Sequence, residues 1–93
     1  MKRKEILEEA ERCVCFDRQN QYGTPENSFA LVADFWNKYV GVSNIKPRDV
    51  AAMLALLKIA RIRKGVKDDN WIDLAGYAAC GGELDDQKQK AAS

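Results

Sequence analysis

Two aspartates, Asp69 and Asp73, lie four residues apart in a segment with the composition of a helix. On an α-helix this spacing brings both carboxylates to one side, where their oxygens can meet one ion. Glu26, in the first turn of another predicted helix, would add a third carboxylate. Two or three carboxylates are what Mg²⁺ takes from a protein while it also holds a phosphate. The pattern therefore predicts a magnesium site suited to phosphoanhydride cleavage.

Lys58 and Arg61 lie one helical turn apart at the end of the most apolar segment of the chain. At about 100° per residue, Arg61 falls on one face of that helix and Lys58 lies on its flank. The apolar residues of the same face are Val50, Met53, Leu54, Leu57 and Ala60. A buried guanidinium keeps its charge, so it must meet acids or a bound anion. We therefore expect Arg61 and Lys58 to hold phosphate oxygens and, with Asp73, to take part in catalysis.

Three further polar side chains are expected to contact a substrate. Tyr22, in the turn before a predicted helix, Asn27, in the first turn of that helix, and Tyr77, one turn after Asp73, could stack on a base or form hydrogen bonds with it. The alternative for the whole charged set is a structural ion-pair network, such as Arg61 with Asp73. Asp69 could also serve only as a helix N-cap.

The composition limits the classes of protein that remain. The chain has 93 residues, 46% hydrophobic and 31% charged, with a formal net charge of +1. These values indicate one small globular domain, and the lack of a concentrated basic tract argues against a dedicated nucleic-acid-binding module. The charged N-terminus does not resemble a signal peptide, and no apolar run is long enough for a membrane span. We therefore expect a cytoplasmic protein.

Histidine is absent, which excludes nucleophile schemes that need a Ser-His or Cys-His pair. The three cysteines, Cys13, Cys15 and Cys80, do not have the spacing of a zinc site and are expected to be reduced core residues. Any chemistry must therefore rest on carboxylates, lysine, arginine or a metal ion.

Apolar residues recur with helical periodicity along the chain, and no strand pattern is present. Breakers and caps divide it into four helices, at about 4–20, 25–40, 47–64 and 69–80. Thr24 is a suitable N-cap with Pro25 at the first helical position, and Gly81-Gly82 is expected to end the last helix. Residues 83–93 are expected to form a short polar, frayed tail. The predicted fold is all-α, a compact antiparallel four-helix bundle.

Several short motifs resemble a known group of proteins. They are Tyr22-Gly23, Glu26-Asn27-x-Phe29, Trp36, Asp49-Val50-Ala51, Lys58-x-x-Arg61, Asp69-x-Trp71-x-Asp73 and Gly76-Tyr77-Ala78. Over about residues 6–84, the chain resembles a small phage and prophage family of proteins without assigned function. That family in turn resembles the all-α, MazG-like nucleoside triphosphate pyrophosphohydrolases, mainly over the last two helices.

The wider resemblance implies Mg²⁺-dependent hydrolysis of a nucleoside triphosphate to the monophosphate and pyrophosphate, in a homodimer or homotetramer. It places Asp69 and Asp73 on the metal-binding Glu-x-x-Asp helix, although the spacing here is Asp-x-x-x-Asp. The Glu-x-x-Glu pair of those enzymes is not matched, because residue 29, three positions after Glu26, is phenylalanine.

The first functional hypothesis is therefore a Mg²⁺-dependent pyrophosphohydrolase acting on a (deoxy)nucleoside triphosphate. In it a carboxylate would activate the attacking water, with Glu26, Asp69 and Asp73 as metal ligands. The first alternative is a nucleotide-binding protein without turnover. The second is a helical interaction protein in which the inner charges only fix the packing.

Overall fold

A computed structural model describes residues 1–17, 23–65 and 68–92. These residues contain no strand and form four α-helices, which are α1 (Arg3–Arg12), α2 (Pro25–Val40), α3 (Pro47–Lys64) and α4 (Asp68–Ala92). A π-helical turn, Cys13–Asp17, continues α1. The helix α4 packs along α3 and against α1, and α2 packs mainly against α3. The described part of the chain is therefore all-helical, and α3 and α4 form its centre.

Local signals explain where α2 begins and ends. The Thr24 hydroxyl accepts a hydrogen bond from the backbone N–H of Asn27 at 3.4 Å, and Pro25 occupies the first helical position. At the other end, Gly41 adopts φ +83°, a left-handed conformation that favours glycine and ends helices. The bounds of α2 coincide with those that the sequence pattern indicates.

The start of α3 is fixed by a side chain of its own first turn. Pro47 takes the first helical position, and Asp49 Oδ2 accepts a hydrogen bond from the backbone N–H of Lys46 at 2.9 Å. Before it, Asn37 of α2 bridges to the backbone of Ile45 with two hydrogen bonds of 2.9 Å. These contacts tie the connection between α2 and α3 to the end of α2.

The helices α3 and α4 are antiparallel, and three contacts fix their register. Lys58 meets Asp73 at one end, and Arg48 meets Asp85 at 2.7 Å at the other. Between them, Ala51 Cβ lies 3.2 Å from the position that a Cβ of Gly81 would occupy. The main buried cluster lies beside this seam and consists of Phe29, Ala33, Val50, Ala51, Cys80 and Leu84.

The last helix does not end where the sequence pattern indicates. We expected Gly81-Gly82 to break it and residues 83–93 to be frayed, but α4 continues through both glycines to Ala92. The physical reason lies in packing. Gly81 allows close approach to Ala51, and Leu84, one turn further, is buried. These contacts offset the cost of about 1 kcal/mol that each glycine imposes inside a helix.

The buried face of α3 also differs from the predicted one, which placed Arg61 on the inside with Met53 and Leu57. In the structure Arg61 is exposed, and Met53 and Leu57 each keep 45% of their surface exposed. The side that packs on the rest of the chain is about a quarter turn round the helix, with Val50, Ala51, Leu54, Lys58 and Ile62. Residues 50–57 are apolar all round, so periodicity could not distinguish these faces.

The three cysteines differ in their burial. Cys80 is buried, but Cys13 is half-buried and Cys15 is exposed, so the prediction of three core cysteines was wrong for Cys15. The last three residues of the predicted first helix, 18–20, lie outside what the structure describes. Among the described helices, none combines the length and apolar character needed to cross a membrane.

Candidate functional site

The charged site predicted from the sequence is formed in part at the end of the α3–α4 hairpin. Lys58 Nζ lies 2.8 Å from Asp73 Oδ2, and only 12% of the lysine side chain is exposed against 40% of the aspartate. The stem of Lys58 is thus covered by the two helices, while its ammonium group meets a carboxylate that solvent can reach. Lys58, expected on the flank of α3, is the cation that faces α4.

Arg61 lies one turn beyond Lys58, and Asp69 one turn before Asp73. Because the two helices are antiparallel, Arg61 is level with residues 69–70 of α4. Both Arg61 and Asp69 are exposed, and neither forms an ion pair with a side chain whose position is described. The structure therefore brings the four residues to one end of the hairpin, with the Lys58–Asp73 pair inside and Arg61 and Asp69 outside. We call these four residues the hairpin-end cluster.

The third predicted metal ligand lies elsewhere. Glu26 is hydrogen-bonded through its side chain to Glu83, and this contact, with burial and the nearby negative charge, raises the pKa of Glu83. Glu83 is ten residues after Asp73, which is about 15 Å along the helix axis. Glu26 is therefore not beside Asp69 and Asp73. Among side chains of known position, no three acids, cysteines or histidines are grouped as a metal site.

The expected substrate contacts are spread over the molecule. Tyr22 lies outside the described residues, and Asn27 is exposed in the first turn of α2, on the helix that carries Glu26. Tyr77 follows Asp73 by one turn and packs its ring against Phe29, with the ring centroids 6.5 Å apart. Of the three, Tyr77 alone belongs to the helix of the hairpin-end cluster.

Tyr77 lines a shallow groove of about 270 Å³ along the α3–α4 seam. Alanine and glycine residues make up most of its lining, and Arg48 and Asp85 lie at the end away from the hairpin-end cluster. Arg48, Asp85 and Glu83 were not predicted from the sequence as functional residues. Their partners are far away along the chain, so no local spacing indicated them.

Comparison with known proteins assigns the chain to a family. The chain belongs to the family described as a domain of unknown function, DUF6378, whose model matches residues 5–85. This range includes all four residues of the hairpin-end cluster and both Glu26 and Glu83.

Two curated relatives come from mycobacteriophages. The chain is 40% identical over 76 residues to the Gene 55 protein of Mycobacterium phage D29, covering 81% of this chain and 50% of that protein. It is 38% identical over 74 residues to the Gene 55 protein of Mycobacterium phage L5, covering 78% and 47%. The chain thus spans about half the length of these relatives. No solved structure shows a significant match. The expected resemblance to a phage family is confirmed at this level.

Proposed function

We propose that this chain binds a nucleotide through its phosphate groups, with Lys58 and Arg61 as the phosphate-binding residues. The observation that supports this most is the Lys58–Asp73 ion pair, in which a largely covered lysine side chain meets, at 2.8 Å, an aspartate side chain that is 40% exposed. A magnesium-bound nucleotide satisfies both partners, because its phosphate oxygens accept hydrogen bonds from Lys58 and its cation is attracted to Asp73. The free energy needed to separate Lys58 from Asp73 is then offset by the contacts that each residue makes with the bound nucleotide and its cation.

The exposed position of Arg61 fits the same role. A guanidinium offers several donors in a fixed planar arrangement that matches phosphate oxygens. One helical turn separates it from Lys58, so two cations can contact neighbouring phosphates of one ligand. Tyr77, one turn from Asp73 at the groove beside the cluster, is the side chain we assign to contact the base.

Hydrolysis to the monophosphate and pyrophosphate is the second candidate function. It is favoured by Asp69, which lies one turn from Asp73 on the same helix and so gives the cluster a second carboxylate. In this reaction Asp69 and Asp73 would hold the metal ion, which would polarise the phosphate oxygens. A carboxylate would accept a proton from the water that attacks a phosphorus atom, the phosphoanhydride bond would break, and Lys58 and Arg61 would offset the charge on the leaving pyrophosphate. Glu26 contributes nothing here, because it meets Glu83 instead. Binding therefore ranks above turnover.

A nucleotide panel with Mg²⁺ tests both functions on one preparation. We expect (deoxy)nucleoside triphosphates to raise the melting temperature. The Arg61→Ala variant should bind about 10- to 100-fold more weakly, because it loses charge-assisted hydrogen bonds. Arg63→Ala is the matched control, since Arg63 is also exposed near the end of α3 but points to another side of the helix.

The outcomes of this experiment distinguish a nucleotide-binding protein, an enzyme and a set of charges that is only structural. Stabilisation by nucleotides without pyrophosphate release supports a binding protein. Pyrophosphate release that Asp73→Asn abolishes supports the enzyme. If no nucleotide stabilises the chain, or if Arg61→Ala and Arg63→Ala bind equally well, the phosphate site is refuted and the charges are structural.

A further inference from the structure

An apolar surface on the outer side of α2 and α3 is left uncovered by the described part of the chain. We define this outer apolar face by six exposed residues, Phe35, Tyr39, Val40, Met53, Leu56 and Leu57. Their exposed fractions range from 45% for Met53 to 93% for Tyr39. Single exposed apolar residues are common on protein surfaces, but a group of this kind marks an interaction site.

On α3, the outer apolar face continues into cations. Met53, Leu56 and Leu57 have the i, i+3 and i+4 spacing of one helical side. Arg63 and Lys64 follow Leu56 and Leu57 by seven residues, which is two turns along the same side. Both are exposed in the last turn of α3, and neither forms an ion pair with a described side chain. This side of the helix is therefore apolar in its middle and basic at its end.

The net charge of α3 favours a negatively charged partner. The helix holds one acid, Asp49, against five basic residues, which gives a net charge of +4. Two of these cations, Arg48 and Lys58, pair with aspartates of α4, while the three in the last turn are exposed. A helix of the same charge is repelled from such a surface, and a negatively charged surface is attracted to it.

The outer apolar face offers few groups that could position a rigid partner. A groove of about 580 Å³ joins the end of α2 to the middle of α3, and its lining is aromatic and aliphatic. Among the described lining residues, only Trp36 and Tyr39 have side-chain groups that form strong hydrogen bonds. A standard protein interface carries about 10 hydrogen bonds, for which this face has few groups. Fluid acyl chains need no hydrogen bonds and adapt to the shape of a groove.

We propose that the outer apolar face binds the surface of a membrane that contains anionic lipids, with α3 lying along that surface. The apolar side chains enter the boundary between headgroups and acyl chains, as those of amphipathic helices on membranes do. Arg63 and Lys64 contact the lipid phosphates, whose attraction adds to the apolar contribution. Tyr39 keeps its hydroxyl at the level of the headgroups while its ring is covered. No residue of the hairpin-end cluster takes part, so the proposal is independent of nucleotide binding.

Co-sedimentation of the whole chain with lipid vesicles tests the proposal. We expect the chain to bind vesicles in which about one third of the lipid is phosphatidylglycerol, and not to bind vesicles of phosphatidylcholine alone. Because the attraction is partly electrostatic, binding should weaken as the salt concentration rises. The double variant Arg63→Ala/Lys64→Ala should bind about 25-fold more weakly, at roughly 5-fold for each charge removed. The same variant should keep its stabilisation by nucleotides.

Leu56→Glu tests the apolar contribution. It removes an apolar side chain from the lipid boundary and adds a negative charge, so binding should fall at least about 10-fold. Leu7→Glu is the matched control and should bind like the wild type, because Leu7 on α1 is exposed to the same 64% as Leu56 but lies outside the face. Tyr39→Glu, at a residue with almost no contact inside the chain, should behave like Leu56→Glu. Circular dichroism checks that the helices remain in every variant.

Three results would each overturn the proposal. The first is a wild-type chain that stays in solution when anionic vesicles are sedimented. The second is equal binding by the wild type, Leu56→Glu and Tyr39→Glu. The third is an equal affinity for soluble polyglutamate, which offers negative charge without acyl chains and would assign the face to an acidic protein.

Discussion

The Nζ atom of Lys58 and the Oδ2 atom of Asp73 lie 2.8 Å apart, joining the last turns of α3 to the first turns of α4. The pair is unequal, because the lysine side chain is largely covered and the aspartate is not. It therefore fixes how the two central helices meet, and it also leaves a carboxylate open to a ligand.

Removal of the Asp73 carboxylate should show how much this ion pair contributes to the stability of the fold. We expect Asp73→Ala to lower the free energy of unfolding by about 1–2 kcal/mol, between the values for exposed and buried ion pairs, because Lys58 is left without its partner. The double variant Lys58→Met/Asp73→Ala should recover part of the loss. Asp69→Ala is the control, because Asp69 is exposed and lies one helical turn before Asp73. This variant should change stability little. Urea unfolding of the four proteins measures these differences, and equal losses in Asp73→Ala and Asp69→Ala would contradict the expectation.

Two glycines of α4 should respond to alanine in opposite ways. A Cβ on Gly76 would lie 2.8 Å from Val14 Cγ1, whereas a Cβ on Gly82 would meet nothing within 4 Å. Gly76→Ala should therefore destabilise the protein by about 1–3 kcal/mol through overpacking. Gly82→Ala should stabilise it by about 0.5–1 kcal/mol, because alanine is the better helix former.

Thermal unfolding compares the two alanine variants directly. Adding Val14→Ala to Gly76→Ala should make the combined effect smaller than the sum of the two single effects, since the clash is removed. Additive effects, or a stabilising Gly76→Ala, would show that the π-helical turn carrying Val14 does not lie this close to α4.

The Glu26–Glu83 pair should give the protein a pH-dependent stability. The hydrogen bond to Glu26, with burial and the nearby charge, raises the pKa of Glu83 above its unfolded value. The folded chain then holds a proton that the unfolded chain releases. The contribution to stability is thus complete below the unfolded pKa of about 4.3 and is lost as the pH rises through the folded pKa.

Glu83→Gln tests this pH dependence, because glutamine keeps a donor for Glu26 and carries no charge. We expect the variant to be more stable than the wild type at pH 7 and the difference to shrink as the pH approaches 4. Glu11→Gln, at an exposed glutamate of α1, serves as the control. A difference between Glu83→Gln and wild type that is the same at both pH values would contradict the expected pairing.

The connection between α2 and α3 should depend on the side chain of Asn37. Its amide donates to the carbonyl of Ile45 and its oxygen accepts from the N–H of Ile45, both at 2.9 Å. Asn37→Ala should cost about 1–2 kcal/mol, since two backbone groups lose their partners. Asn37→Asp keeps the acceptor but places a carboxylate against the Ile45 carbonyl, so it should also destabilise. Lys38→Ala, at the exposed neighbour, should have little effect in the same denaturation experiment.

Local chemistry determined much of this fold from the sequence. The Thr24-Pro25 start and Gly41 end of α2, and the Pro47 start of α3, depend on contacts within a few residues. Caps and proline positions act over one turn, so the chain itself specifies them. The same reasoning placed Lys58, Arg61, Asp69 and Asp73 at neighbouring helix ends, and the antiparallel hairpin does bring them to one end of the molecule.

Only the tertiary structure decided the contacts between residues that are far apart in the sequence. It paired Glu26 with Glu83 rather than with Asp73, and it carried α4 through Gly81-Gly82 because Leu84 and the approach to Ala51 compensate for two poor helix formers. It also decided that Lys58, not Arg61, faces α4. A helix that is apolar all round offers two faces of nearly equal burial energy, and the choice between them depends on the shape of the neighbouring helix.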